Sequence, residues 1–142
     1  MQDQEAIDVL VKNNIRITQQ RKLVLNYLIN SHEHPDVKTI YRDLNQQDSN
    51  LSLATIYNTL NNLVKHNIII EIDNNDGNTH YDYFDRPHIH VICKNCGKIT
   101  DVFTDNLNQI EQDAINQSNY SIDTDNIELY GLCPECKKAE NN

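Results

Sequence analysis

The middle of the chain concentrates the side chains that bind metal ions most readily. From His80 to Asp101, 22 residues contain three histidines, two cysteines and three aspartates. Imidazole nitrogens, thiolate sulfurs and carboxylate oxygens are the donors through which proteins hold zinc and transition metals. The patterning of the sequence also changes within this stretch, which predicts that it both holds metal and connects two domains.

The four cysteines form two pairs with the spacing of a zinc site. Cys93 and Cys96 make the first CxxC motif, and Cys133 and Cys136 make the second, after an interval of 36 residues. A CxxC turn brings both sulfurs to one side, so two such pairs suit a closed tetrahedral zinc site that contributes directly to folding. A redox dithiol and an iron–sulfur cluster are the alternative uses of such pairs.

Histidines and carboxylates form a second set of donors. His88 and His90 alternate along a predicted strand, so both imidazoles lie on one face of it. Asp82 precedes them in the last strand of a predicted hairpin, and Asp101 lies in the next strand. This donor set suits Fe²⁺, Mn²⁺ or Zn²⁺, with ordinary surface or core histidines as the alternative. Other residues that could be extra ligands, and are more simply interpreted as surface residues, are His32, Glu33, His66 and His80.

Composition narrows the class of protein. The 142 residues are 38% hydrophobic with only three glycines and three prolines, which favours a helix-rich globular chain over a disordered one. No apolar run approaches the roughly 20 residues of a membrane span, and the acidic start lacks a signal-peptide pattern. A cytoplasmic location is therefore expected, where disulfides are rare and the cysteines need another role.

The elements that position these donors fall into two domains of an α+β protein. In the first half, apolar periodicity and capping residues predict helices at 3–13, 19–31, 36–47 and 53–66, followed by a β-hairpin of 68–72 and 79–84. This order predicts a winged helix-turn-helix domain over residues 1–84, with 53–66 as the helix that enters the DNA major groove.

The second half predicts a small α/β dimerisation domain over residues 85–142. Strands at 87–93, 98–103 and 121–132 are expected to form an antiparallel sheet. A helix is expected at 106–118, with an inward apolar face of Leu107, Ile110, Ala114 and Ile115. The core is small, so zinc would stabilise it, and an exposed sheet face or edge would favour dimerisation. Asp85, Arg86 and Pro87 fill the predicted hinge between the domains.

The outer face of the predicted recognition helix carries residues that suit DNA. Small and amide side chains there match thymine methyls and adenine edges, while hydroxyls and arginines match phosphates. The candidate DNA-binding residues are Arg16, Arg21, Ser52, Ala54, Thr55, Tyr57, Asn58 and Asn61. The net charge of −9 argues mildly against DNA, but residues 1–66 balance seven basic against seven acidic residues. An ordinary helical domain or a protein-binding surface is the alternative.

Taken together, the motifs resemble the ferric uptake regulator (Fur) superfamily over nearly the whole chain. The segments that carry the resemblance are Arg16–Arg21, His34-Pro35, Ser52–Tyr57, His80–Asp82, His88–Gly97 and Cys133–Cys136. The resemblance implies a homodimeric, metal-dependent transcriptional repressor that binds double-stranded operator DNA. Gln19 stands where the family usually has proline, and Asn67 where it usually has glycine, and both substitutes are physically tolerable there.

Within the family, the chain looks most like the peroxide-responsive branch (PerR). The regulatory Fe²⁺ or Mn²⁺ of that branch is held by three histidines and two aspartates, which match His34, Asp82, His88, His90 and Asp101. Asp101 favours this branch because iron-sensing members tend to have glutamate there. The resemblance implies that Fe²⁺ and hydrogen peroxide oxidise ligand histidines, with His34 and His88 as candidates, and that the loss of DNA binding derepresses oxidative-stress genes.

Two other functions compete with the peroxide-sensing repressor. One is a repressor of the same family that senses the level of iron, zinc or manganese. The other is a small metalloenzyme that uses the histidine and aspartate donors for hydrolysis. That donor set would fill the coordination sphere, and the sequence offers no further base or substrate pocket. The expectation is therefore a regulator and not an enzyme.

Overall fold

The computed structural model describes residues 3–46, 50–74, 76–83, 88–122 and 126–140. The chain divides into two compact units, the first Met1–Asp73 with Gly77–Phe84 and the second Asn74–Asp76 with Asp85–Asn142. The predicted hinge residues Asp85, Arg86 and Pro87 lie outside the described residues. No helix in the described part of the chain is long and apolar enough to cross a membrane.

The first unit consists of four helices followed by a hairpin. These elements are α1 (Gln4–Lys12), α2 (Gln19–Asn30), α3 (Val37–Asn45), α4 (Leu53–Lys65), β1 (Ile69–Asp73) and β2 (Thr79–Tyr83). Side-chain oxygens of Thr18, Asp36 and Ser52 accept hydrogen bonds from backbone N–H groups in the first turns of α2, α3 and α4. Such caps satisfy donors that a helix start leaves unpaired, so they fix where these three helices begin.

The core of the first unit forms where α2, α3 and α4 face one another. Val24 and Leu25 of α2, Ile40 of α3, and Ile56 and Leu60 of α4 have no solvent exposure. Burial of each such aliphatic side chain contributes roughly 1.5–3 kcal/mol. On the opposite face of α4, Tyr57, Asn58 and Asn61 are exposed.

A left-handed residue joins the recognition helix to the hairpin. Asn67 has φ +60°, and the next N–H, of Ile68, donates to the Leu63 carbonyl at 3.0 Å. This is the helix end that glycine most often makes, and asparagine is the next most tolerant residue there. β1 then pairs antiparallel with β2 through a turn in which Gly77 has φ +87°. The predicted α+β class and winged helix-turn-helix are confirmed.

The second unit has a mixed sheet, so the predicted antiparallel sheet is wrong. Its elements are β3 (Ile89–Cys93), β4 (Ile99–Val102), α5 (Leu107–Ser118), β5 (Glu128–Gly131) and α6 (Pro134–Glu140). The strand order is β4-β3-β5, with β3 antiparallel to β4 but parallel to β5. Strand patterning does not encode direction, and the connection through α5 is long enough for the crossover of a parallel pair.

The positions of the cysteines indicate that β3 and β5 run parallel, which the strand pattern alone does not. The first CxxC motif starts at the end of β3, and the second follows the end of β5. Neighbouring strands present their carboxyl ends at the same edge only when they run parallel. Cys93 is accordingly in register with Gly131, two residues before Cys133.

Helix α5 does not bury the face predicted for it. Of the apolar residues on that face, only Leu107 is buried, while Ile110 and Ala114 are exposed. Ile110 is 48% exposed, so the apolar stripe of this helix is uncovered within the described part of the chain. The strand predicted at 121–132 is also shorter, since β5 spans only Glu128–Gly131 and 123–125 lie outside the described residues.

Candidate metal centres and nucleic-acid interface

The four cysteines of the second unit converge on one point. Their sulfur atoms all lie within 4.8 Å of one another, and Cys96 Sγ lies 3.8 Å from Cys133 Sγ. Tetrahedral zinc with Zn–S bonds of about 2.3 Å places its sulfurs about 3.8 Å apart. The spacing of the thiols therefore fits a closed zinc site.

Each pair of sulfurs is brought together by a different local structure. After β3, the Gly97 N–H donates to the Cys93 carbonyl at 3.0 Å, and Gly97 takes φ +80°, a conformation that strains other residues. The second pair starts α6, where residues three apart lie on one side of the helix. The Lys137 N–H donates to the Cys133 carbonyl at 2.8 Å.

The surroundings of Cys93 favour the form of its thiol that binds metal, whereas hydrogen bonds among the clustered thiols raise the pKa of Cys96 and raise that of Cys136 to about 11. Backbone hydrogen bonds from Cys96 and then Cys133 lower the pKa of the Cys93 thiol to about 6. A thiol with this pKa is largely ionised at neutral pH, and the thiolate is the species that coordinates metal. The Asn95 amide also donates to Cys136 Sγ at 3.3 Å. The sequence did not lead us to Asn95. An amide inside a CxxC motif is nevertheless placed to donate a hydrogen bond to a cysteine sulfur.

His88, His90 and Asp101 come together in the second unit. His90 and Asp101 are directly opposed across β3 and β4, which places both side chains on one face. His90 Nε2 lies 3.1 Å from His88 Nε2 and 3.5 Å from Asp101 Oδ1, and His88 Nε2 lies 3.6 Å from the same oxygen. Ligands about 2.1 Å from one ion are about 3.0–3.4 Å apart at neighbouring vertices. The histidine–histidine separation lies in this range and the two histidine–aspartate separations lie just above it, so the three groups are close enough to share one ion.

Both histidines of this group are removed from water. His90 has no solvent exposure and His88 has 4%. The Phe103 ring packs against the His88 ring with centroids 5.0 Å apart, an aromatic contact that the sequence did not predict. Buried polar rings need partners, so a converging carboxylate and a metal ion explain two imidazoles in this position.

His34 and Asp82 come together in the first unit. His34 Nε2 lies 4.0 Å from Asp82 Oδ2, and the two residues are 4% and 7% exposed. His34 precedes α3, whereas Asp82 lies in β2, so the packing of the hairpin against the helices joins them. The pair offers one nitrogen and one oxygen donor, the same donor types as the group in the second unit.

The candidate DNA-binding residues lie on the accessible side of the first unit. Ala54, Tyr57, Asn58 and Asn61 are exposed on α4, with Tyr57 at 49%. Ser52 and Thr55, expected at phosphates and bases, also form the helix cap. The Thr55 N–H donates to Ser52 Oγ, and the Ser52 hydroxyl donates to Thr55 Oγ1. Arg21 Nη1 donates to the Arg16 carbonyl at 2.7 Å, so the Arg21 side chain lies against the Arg16 backbone.

The remaining histidines and Glu33 separate into two groups. His32, Glu33 and His66 are exposed, as expected for surface residues. His80 is half-buried, and its Nδ1 lies 2.6 Å from the His34 carbonyl oxygen. It is therefore not a plain surface residue, and this contact occupies its Nδ1 atom.

Comparisons with known proteins agree on one family. The model of the ferric uptake regulator family matches residues 12–130. The peroxide operon regulator of Bacillus subtilis is 37% identical over 138 residues, which cover 97% of this chain and 95% of that protein.

Solved structures of similar proteins extend over the same range. The peroxide-sensing regulator PerR of Streptococcus pyogenes is 38% identical, with a TM-score of 0.52 and coverage of 94% of this chain and 92% of that one. A peroxide stress regulator of Campylobacter jejuni is 28% identical, with a TM-score of 0.74 and coverage of 94% and 97%.

Proposed function

Since the chain belongs to the ferric uptake regulator family, we propose that it is a metal-dependent, DNA-binding transcriptional repressor that senses hydrogen peroxide. The observation that carries the proposal is the donor set of three buried histidines and two aspartates in a chain 37% identical to a peroxide operon regulator. The protein acts in the cytoplasm as a homodimer on double-stranded operator DNA.

The cysteine cluster would hold a structural Zn²⁺. Cys93, Cys96, Cys133 and Cys136 supply four sulfurs at the separations of a tetrahedral site. A site closed by four protein ligands leaves no position for a substrate. Its role in the proposal is to join the ends of β3 and β5 and so stabilise the second unit.

The histidines and aspartates would hold the regulatory Fe²⁺ or Mn²⁺. His34 and Asp82 belong to the first unit, and His88, His90 and Asp101 belong to the second. Because the five donors come from both units, sharing one ion requires a single relative orientation of the two units. In a dimer, this orientation sets the spacing of the two recognition helices to the operator half-sites.

Peroxide sensing consumes a ligand. Bound Fe²⁺ would supply the redox chemistry that lets hydrogen peroxide react at this site. Overall, a ring carbon of His34 or His88 would exchange its hydrogen for one peroxide oxygen, giving 2-oxo-histidine, and the other oxygen would leave as water, so that the ring provides the two electrons that reduce the peroxide. The oxidised ring loses the lone pair that made it a ligand, so the orientation of the units and the affinity for DNA are lost. Each molecule senses once, so this is not enzymatic turnover.

The exposed face of α4 would contact the operator. Tyr57, Asn58 and Asn61 project from the helix, and Ala54 offers a methyl group that fits thymine. Replacing Tyr57 with alanine is expected to weaken operator binding about 10-fold or more, because one good contact contributes roughly 1–3 kcal/mol. Lys12→Ala, at an exposed position of α1, is the control, and equal losses in both variants would contradict a role for this face of α4.

A second copy of the chain would cover the apolar surface of the second unit. Large apolar side chains that are at least 38% exposed there are Val102, Phe103, Ile110, Tyr120, Leu129, Tyr130 and Leu132. Seven such residues in a small unit exceed the scattered apolar residues of an ordinary surface. A dimer interface explains both this surface and the uncovered stripe of α5.

The experiment combines peroxide treatment with mass spectrometry and gel shifts. The zinc-containing protein is loaded with Fe²⁺ or Mn²⁺, exposed to a small excess of peroxide, and digested. The Fe²⁺ form should gain one oxygen atom on the His34 or His88 peptide and lose operator binding, while the Mn²⁺ form should change little. Intact DNA binding without added oxygen in the Fe²⁺ form would instead indicate a sensor of metal level.

A further inference from the structure

The backbone of His34 has a conformation that needs external support. Its φ is +53°, and Pro35 follows it. Residues other than glycine rarely adopt positive φ, and a following proline restricts the backbone further. Such conformations are strained and persist where neighbouring groups hold them.

Strand β2 provides that support through contacts with three consecutive residues, His34, Pro35 and Asp36. His80 Nδ1 lies 2.6 Å from the His34 carbonyl oxygen, the Tyr81 N–H donates to the Pro35 carbonyl at 3.0 Å, and Asp36 forms an antiparallel bridge with His80. A carbonyl oxygen only accepts hydrogen bonds, so Nδ1 carries the hydrogen. Of these three contacts, the hydrogen bond from the His80 ring is the one that a side chain makes.

The same strand also supplies a proposed metal ligand. Asp82 lies two residues after His80, on the same face of β2. Its Oδ2 lies 4.0 Å from His34 Nε2. One strand therefore fixes the His34 backbone through His80 and presents a carboxylate to the His34 ring through Asp82.

We propose that His80 is a positioning residue for the regulatory metal. By donating to the His34 carbonyl, it holds the His34 imidazole where that ring shares an ion with Asp82. The inference rests on the proposed function, because it assigns His34 and Asp82 as ligands. Groups that orient a ligand in this way typically account for about 10–100-fold in metal affinity.

Two substitutions of His80 separate positioning from packing. His80→Leu removes the donor and keeps an apolar body of similar size. His80→Asn places an amide N–H close to where the imidazole Nδ1–H stands, so it retains the hydrogen bond. In zinc-containing full-length protein, Mn²⁺ titration followed by electron paramagnetic resonance should show about 10-fold weaker binding for His80→Leu and near wild-type binding for His80→Asn.

A second measurement follows the oxidation pattern. After Fe²⁺ loading and peroxide treatment, peptide masses give the ratio of oxidised His34 to oxidised His88. Displacement of His34 alone should lower this ratio in His80→Leu, and His80→Asn should restore it. A substitution that only destabilised the protein would lower both oxidation yields together.

A His34→Ala variant distinguishes failure of this inference from failure of the proposed site. If His34→Ala weakens Mn²⁺ binding but His80→Leu leaves both the affinity and the oxidation ratio unchanged, the positioning role is wrong. If His34→Ala itself leaves Mn²⁺ binding unchanged, the proposed metal site is wrong and the inference falls with it. Should His80→Leu fail to fold by circular dichroism, His80→Ser replaces it, because a serine hydroxyl is too short to reach the carbonyl.

Discussion

The cysteine donors lie in one unit of the molecule, whereas the histidine and aspartate donors are divided between two. All four cysteines belong to the second unit, and the parallel pairing of β3 with β5 is sufficient to assemble them. The other donors are divided, with His34 and Asp82 in the first unit and the remaining three in the second. A site contained in one unit stabilises that unit, whereas the proposed regulatory site would need donors from both units and would therefore respond to their relative orientation.

The donor atoms reinforce this difference. Thiolates are soft ligands that hold zinc in permanent structural sites, while imidazole and carboxylate suit Fe²⁺ and Mn²⁺, which bind more weakly. The proposed division of roles is therefore a lasting zinc ion for the fold and an exchangeable ion for the signal.

The largest expected effect comes from breaking the cysteine cluster. Cys96→Ser should release zinc and unfold the second unit, because zinc binding contributes roughly 10–16 kcal/mol in small zinc domains. Metal analysis and circular dichroism measure the two losses. Lys94→Ala changes an exposed residue of the same turn and should retain one zinc per chain. A stable, zinc-containing Cys96→Ser protein would contradict a structural role for the four-cysteine site.

Removing a ligand from either half of the proposed regulatory site should abolish regulation without unfolding. His34→Ala and His90→Ala, one in each unit, should each weaken Mn²⁺-dependent operator binding by about 100-fold or more, since even groups behind the ligands account for 10–100-fold. Fluorescence anisotropy with labelled operator measures this loss, and zinc content should stay at one per chain. His32→Ala, at an exposed histidine, is the matched control. Metal-dependent binding that survives in His34→Ala would show that the first unit contributes no ligand.

Chelation should separate the two sites without any substitution. A moderate excess of EDTA should remove the regulatory ion and operator binding within minutes, while zinc stays bound, because four thiolates in a closed site resist the chelator. Added Mn²⁺ should then restore operator binding. Simultaneous loss of both metals in a metal-resolved dialysis experiment would contradict the distinction between lasting and exchangeable ions.

The smallest effect concerns the surroundings of the cysteine sulfurs. Asn95→Ala removes the amide that donates to Cys136 Sγ and should weaken zinc binding about 10-fold, as removal of an outer hydrogen bond typically does. Competition with a chromophoric chelator gives the affinity ratio. Asn95→Ser, which keeps a donor, should recover part of it, and identical affinities for alanine and serine would exclude a role for this bond.

The sequence predicted the first unit more completely than the second. Its helices carry both apolar periodicity and capping residues, so the helix starts at Thr18 and Ser52 follow from local signals alone. In the second unit, strand patterning located the strands but gave the wrong direction for one pair. Helix α5 was assigned a buried face that the single chain does not cover, because periodicity identifies an apolar stripe but not what packs on it.

Ligand types and spacing along the chain are local properties, and the sequence by itself determined them. It identified the two CxxC motifs, the alternation of His88 with His90, and the place of Asp101 in the next strand. Only the tertiary structure decided the parallel pairing that joins the cysteines and the register that sets Asp101 opposite His90. It alone also decided the bond from His80 to the His34 carbonyl. These contacts join residues far apart in the sequence, and their geometry depends on how packed elements meet, which no local pattern records.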